Sequence, residues 1–418
     1  MSNVPMSNPE MMLAYHEPFP TARGGCIQLR SGRIIACSGC GFNYSDDAAM
    51  SWCEPYEGQY VNGEKPMLQN LVELGNDILG ATERRMPDGV PHTKANLAYK
   101  KLAFTTSSDM GKTWSEPNMM TNIPLPAHAW CNTLFRTSRG RIIQPCYMSL
   151  RQSTPNDRWP LQGAWDSNGK FVSTGAHYYD PAFCTSYVLY SDDDGETWQK
   201  NEDGELHIFM PPEVVLAFTA EPTVAEVEPG VLIMMLRTRL GRAFEAWSYD
   251  DGTTWTRPAP THLASSNSPV VVKRLHSTGH LLCVWNQAGE QDIKQGHIRC
   301  RLSSAVCRNG RGVWEFFQNV ESVLEPSHVE PGPIRYTSPL GLYGRDRDHP
   351  AHENDPQYSV VLKTRQRWTN HSVCVLDDRV LILYGGRCKV LPLKWFYRGN
   401  DPHEDNTSLP VIGAQSGR

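Results

Sequence analysis

Three octapeptides along the chain follow one pattern, Ser-x-Asp-x-Gly-x-x-Trp: Ser107–Trp114, Ser191–Trp198 and Ser248–Trp255. A pattern this long, recurring in one chain, signals a repeat architecture built from one supersecondary unit. Each residue type has a physical task. The Asp side chain accepts bonds from nearby backbone N–H groups, as in an Asx-turn. The Gly takes a positive φ at the tight point without a Cβ clash. The Trp buries a large apolar area and donates one indole hydrogen bond. Together they describe a self-satisfied turn pinned by an aromatic ring, so Asp109, Asp193 and Asp250 are read as structural rather than catalytic.

A second recurrence supports the first. A turn residue enters a short apolar run at Gly32–Cys37, Gly140–Pro145, Gly230–Met234, Gly279–Trp285 and Asp378–Tyr384. These runs are too short for helices and are bounded by turn residues, which marks them as buried strands. Strand units and octapeptides alternate, and Ser304–Trp314 reads as a degraded fourth copy with an insertion. Five repeats are visible in this way, with room for another between 315 and 370. Residues 41–100, 151–182 and 337–357 read as long insertions in a single domain spanning 1–418, with a short helix expected within Glu64–Arg84. Such loops on a rigid scaffold are where binding groups concentrate.

The octapeptides resemble the Asp-box, or BNR, repeats of the sialidase superfamily. Glu221-Pro222-Thr223-Val224-Ala225-Glu226-Val227 followed by Leu232-Ile233-Met234-Met235-Leu236-Arg237 resembles the Glu-x-x-Val…Arg stretch of the same proteins. In outline the likeness runs from about residue 17 to about residue 397. It implies an all-β fold, a six-bladed β-propeller of sialidase type, closed by pairing of residues near Met11–Pro20 with the last blade around Lys389–Tyr397. An open ring would leave sheet edges exposed. The boxes are expected on the rim away from the pocket, with their tryptophans largely buried.

The resemblance also implies chemistry. Sialidases hold a sugar carboxylate with three arginines, attack with a Glu-assisted Tyr, and use an Asp as acid/base. Guanidinium suits the first task because it grips carboxylate bidentately. By position, Arg237 matches one arginine and Glu221 the activating carboxylate. Arg23 falls near the first arginine, although Arg23-Gly24-Gly25 replaces the family's Arg-Ile-Pro. Asp46, beside Asp47, lies near the acid/base position. Gly39-Cys40-Gly41 stands where a second arginine belongs, and Arg335 is a candidate third. No Tyr opens the last blade. His371 occupies that place and reads as a general acid or base, with Tyr336 and Tyr358 upstream. His128, His177 and Tyr178 precede blade strands and are further candidates for the pocket.

These departures leave three readings open. An exo-acting glycoside hydrolase on a terminal acidic sugar comes first. A polysaccharide lyase removing the C5 proton of a uronate is the second. The third is a propeller that binds glycans without catalysis, since fold does not fix function. The resemblance implies a carbohydrate partner, and composition argues against nucleic acid and membrane. The net charge of −5 does not suggest the clustered basic face of a nucleic-acid binder, and no apolar run reaches membrane-spanning length. The first ten residues lack a secretory pattern, so a chain starting there is expected in the cytoplasm, with its twelve cysteines reduced. Cys37, Cys40 and Cys53 lack a second pair at zinc spacing. Related propellers sometimes bind calcium, but no EF-hand-like loop is present and no metal or cofactor is expected. Oligomeric state is left open.

Overall fold

The computed structural model describes residues 6–22, 24–75, 77–86, 100–121, 127–150, 163–165, 171–173, 183–210, 215–217, 219–294, 297, 299–334, 368 and 370–404. Its strands form four four-stranded antiparallel sheets and one seven-stranded sheet, besides small two-stranded ones. In the seven-stranded sheet the long strand Ala259–Arg274 serves two units. Its first half pairs with Arg242–Ser248, and its second half with Leu281–Gln287. The inner strands Cys26–Gln28, Leu68–Gly75, Phe135–Arg136, Ala220–Glu228, the end of Ala259–Arg274, and Ser372–Val375 all contribute to the wall of one central cavity. The architecture is an all-β propeller.

Apolar runs such as Leu232–Leu236 do not alternate because both faces of each sheet are covered by its neighbours, and all five of these side chains are fully buried. The core is accordingly a series of clusters between sheets. One joins Ile34 and Ala36 of the first sheet to Cys374, Leu381 and Val390 of the last. Each fully buried Ile, Leu or Val in it contributes about 1.5–3 kcal/mol. The ring closes as expected, with Ala14–His16 added antiparallel to Arg387–Pro392 in the register Ala14↔Val390 and His16↔Cys388.

The boxes are turns between the third and fourth strands of their units. In the first, Ser107 Oγ donates to Asp109 Oδ1 at 2.8 Å and accepts from Gly111 N at 3.0 Å. Asp109 Oδ1 accepts from Thr113 N at 2.8 Å, and the Trp114 indole donates to the Gly111 carbonyl at 2.9 Å. The other two boxes repeat these bonds. Trp114 and Trp255 are buried, while Trp198 is half-buried.

The structure contains a further box that departs from the Ser-x-Asp-x-Gly-x-x-Trp pattern. Ser45–Trp52 makes the same three bonds between Ser45, Asp47, Ala49 and Ser51. Ala49 adopts a φ of 67° where the other boxes place glycine. The segment 41–100 is therefore not an insertion within one blade. It holds this box and the strands Leu68–Gly75 and Ile78–Arg85 of a further sheet, with no helix among the described residues of 64–84. The degenerate copy is also re-registered. Its turn joins Arg301–Cys307 to Glu315–Ser322, so it spans Cys307–Trp314 without an insertion, and Asn309 replaces the Asp. In 151–182 the described parts pair as Gly163–Trp165 with Phe171–Ser173, and 337–357 lies outside the described residues.

Asn132 sits at the centre of the ring, in the left-handed region at φ 57°. Its N–H donates to the Gln69 carbonyl at 3.2 Å, and its Oδ1 accepts from Cys26 N at 3.0 Å. Its Nδ2 donates to the Val373 carbonyl at 2.7 Å, and its own carbonyl accepts from Lys273 Nζ at 2.6 Å. One residue thus ties together four other sheets. Replacing Asn132 by Ala strands the buried Cys26 N–H and Val373 carbonyl, at about 1–3 kcal/mol each. Urea unfolding should show a loss of about 2–5 kcal/mol, and a loss below 1 kcal/mol contradicts the central role of this side chain.

Candidate functional site

Strand register divides the propeller into two ends. In the sheet that begins at Ala220, Arg237 stands opposite Ala220, whereas the box residue Ser248 stands opposite Leu232, beside Glu226. Five residues of strand, about 17 Å at the usual rise, separate Arg237 from the box end. The starts of the inner strands therefore form one end of the channel and the boxes ring the other.

Glu221 and Arg237 meet at the first end. Arg237 Nη1 bonds Glu221 Oε2 at 2.5 Å, and both side chains are about 4% exposed or less. Arg237 Nε also donates to Asn267 Oδ1 at 2.8 Å. Arg299 Nη2 donates to the backbone carbonyl of the same Asn267 at 3.2 Å. Two guanidinium groups are thus gathered around one asparagine. Glu221 lies at a bulge in its strand with φ 44°, directly before Pro222. A left-handed conformation costs a non-glycine residue about 1–2 kcal/mol, and strain of this kind collects at functional sites.

Asn267 and Arg299 are not among the sequence candidates. A signal for the first does exist. Ser265, Ser266, Asn267 and Ser268 are a polar run inside an apolar strand, and all four are buried. Arg299 stands among irregular residues without a comparable mark.

The other candidates are placed as follows. His128 is buried and bridges Tyr147 through backbone bonds of 2.9 and 2.8 Å, with their rings 5.3 Å apart. Arg84 donates to His128 Nδ1 at 3.4 Å. Asp46 is not with Glu221. It is exposed in the Ser45–Trp52 turn at the box end, held bidentately by Arg33 at 2.7 and 2.8 Å, so a catalytic pair of Asp46 and Glu221 does not form. Arg23, His177, Tyr178, Arg335, Tyr336 and Tyr358 lie outside the described residues. Cys37 is packed in the core, where burial pushes its thiol up to about 12, and Cys53 Sγ accepts from Tyr44 N at 3.2 Å.

His371 requires a correction. Its ring is fully buried, and Nε2 donates to the Val284 carbonyl at 2.8 Å. Burial pushes its pKa down to about 4, and the charge of Arg299 acts in the same direction. A ring in this position stays neutral and inside the packing, so it does not stand in for the nucleophilic tyrosine. Because the folded pKa is depressed, the unfolded chain takes up the proton first. The stability this histidine allows above pH 6.5 is lost as pH falls toward 4. Between pH 6.5 and 5 this amounts to about 2 kcal/mol. Urea titrations at pH 7.5 and 5.0 should show a shallower loss in His371→Gln than in the parent, and equal losses contradict the assignment.

Below Asn132, a cavity of about 780 Å³ opens at the box end, lined by inner-strand residues that include Cys26, Leu71, Glu226, Lys273 and Cys374. Desolvation there brings Lys273 down to about 8.

An all-β propeller with turn boxes at one end and a Glu–Arg pair at the other defines a propeller of sialidase type. The sequence profile of the BNR repeat-like domain matches residues 90–365, and the chain belongs to that family. It is 27% identical over 157 residues to a sialidase of Bacteroides fragilis, a match spanning 37% of this chain and 22% of that one. Among solved structures, it is similar to the Hadza microbial sialidase Hz136, with a TM-score of 0.55 and 14% identity over 93% of this chain and 68% of the other. It is also similar to a Dyadobacter fermentans protein of unknown function, with a TM-score of 0.50 and 15% identity over 91% and 98% of the two chains. At these identities the structural likenesses establish the fold.

Proposed function

We propose that this chain is a six-bladed propeller enzyme, an exo-acting glycoside hydrolase that releases a terminal acidic sugar. The reading that the seven-stranded sheet is two blades sharing one long strand supports the count of six. The observation that carries the function is the buried Glu221–Arg237 pair beside Asn267 and Arg299. Two guanidinium groups held at one end of the channel favour a carboxylate-bearing ligand. In this reading Arg237 grips the sugar carboxylate. Glu221 accepts the proton of the attacking group, and the strained backbone before Pro222 holds its carboxylate in place. In this reading the catalytic set is altered from the family's, and the buried His371 takes no part in it. The relatives named as sialidases make a sialic acid the first substrate to try.

Hydrolysis and elimination leave different products. A hydrolase liberates a reducing acidic sugar, whereas a lyase leaves an unsaturated uronate that absorbs in the ultraviolet. With a fluorogenic sialoside and a uronoside panel, Arg237→Ala should chiefly raise KM. Glu221→Gln should lower kcat by about 10²–10⁴-fold, as for a lost general base. Unchanged turnover in Glu221→Gln, or ultraviolet-absorbing product from the parent, contradicts this function.

A further inference from the structure

At the box end, a groove of about 370 Å³ lies between two neighbouring units of the seven-stranded sheet. Its floor is Val227 and Val231. One wall carries Trp247 and Tyr249, and the other is the turn Asn309–Arg311. Trp247 lies near the end of the strand Arg242–Ser248, Tyr249 directly follows that strand, and both line the groove. The Trp247 ring is fixed by its indole N–H, which donates to Glu245 Oε1 at 3.1 Å, while Tyr249 is 69% exposed.

The opposite wall is rigid as well. Arg308 binds Glu315 bidentately at 2.8 and 3.0 Å across the turn. Gly310 packs so tightly that a Cβ there would lie 2.6 Å from Val227 Cγ1. Three polar groups in this groove, the Glu228 carboxylate, the Tyr249 hydroxyl and the Arg311 guanidinium, have no partner among the described residues. Glu228 and Arg311 are both exposed.

We propose that this groove is a second carbohydrate site, which takes one neutral pyranose ring. The C–H face of a pyranose carries slight positive charge and complements the negative face of an aromatic ring. Glu228 accepts from sugar hydroxyls and Arg311 donates to them. One carboxylate and one guanidinium balance, so the groove favours a neutral sugar over the acidic one proposed for the arginine-rich end. The volume lies at the small end of the roughly 300–1,000 Å³ range of ligand pockets and suits a single ring. At the box end, such a site anchors the protein to a neutral glycan without blocking the other mouth of the channel.

The test is saturation-transfer NMR on the full chain with methyl β-galactopyranoside, methyl α-mannopyranoside and N-acetylglucosamine as separate probes. At least one should bind saturably in the millimolar range. Tyr249→Ala and Arg311→Ala should each weaken that binding about tenfold, and Tyr249→Phe should retain most of it. Arg237→Ala should leave it unchanged, which separates this site from the one proposed for catalysis. Turnover of a small soluble substrate should be the same in Tyr249→Ala as in the parent. The proposal is overturned if none of the three probes binds, if Tyr249→Ala binds like the parent, or if Arg237→Ala abolishes binding.

Discussion

The hydrogen bonds of Asn132 hold the centre of this molecule together. Inner strands of a propeller do not pair with one another, so the polar edges facing the channel need partners from elsewhere. Asn132 supplies them with both its backbone and its side-chain amide, reaching residues 26, 69, 273 and 373. Asparagine suits this position because it carries donors and an acceptor on a short side chain and tolerates a positive φ better than most residues. With this residue in place, the box-end cavity lies on one side and the Glu221–Arg237 end of the channel on the other.

The site inherits its rigidity from that arrangement. Arg237 and Glu221 face each other across adjacent strands, and the bulge after Ala220 aims the carboxylate at the guanidinium. A buried ion pair is weak evidence for stability in itself, since desolvation offsets much of the attraction. Here it stands beside a strained backbone and a second guanidinium. That combination is what the proposed acidic ligand rests on.

The periodic features of the fold were legible because they depend on local chemistry. The Ser-x-Asp-x-Gly-x-x-Trp turns satisfy their own backbone, so their sequence is their structure. Ser45–Trp52 escaped because Ala49 holds the left-handed position that glycine marks elsewhere, and the missed turn hid a sheet within 41–100. Glu221 and Arg237 were each legible through the family resemblance, and one hairpin brings them together. Asn267 and Arg299 were not, because they approach from another unit. His371 shows the limit most clearly. Its place in the chain suggested a catalytic role, but whether a strand residue faces the channel or the core depends on register at a strand start, which sequence position does not reveal. Asn132 was invisible for the same reason, as its partner Val373 is 241 residues away.

The most direct measurement is a crystal structure of the protein with a planar-ring acidic sugar analogue. The account predicts the analogue on the Glu221 side of Asn132, with its carboxylate in hydrogen-bond contact with Arg237 and its anomeric carbon near the Glu221 carboxylate. An analogue bound in the box-end cavity, or with its carboxylate turned away from Arg237, would contradict it.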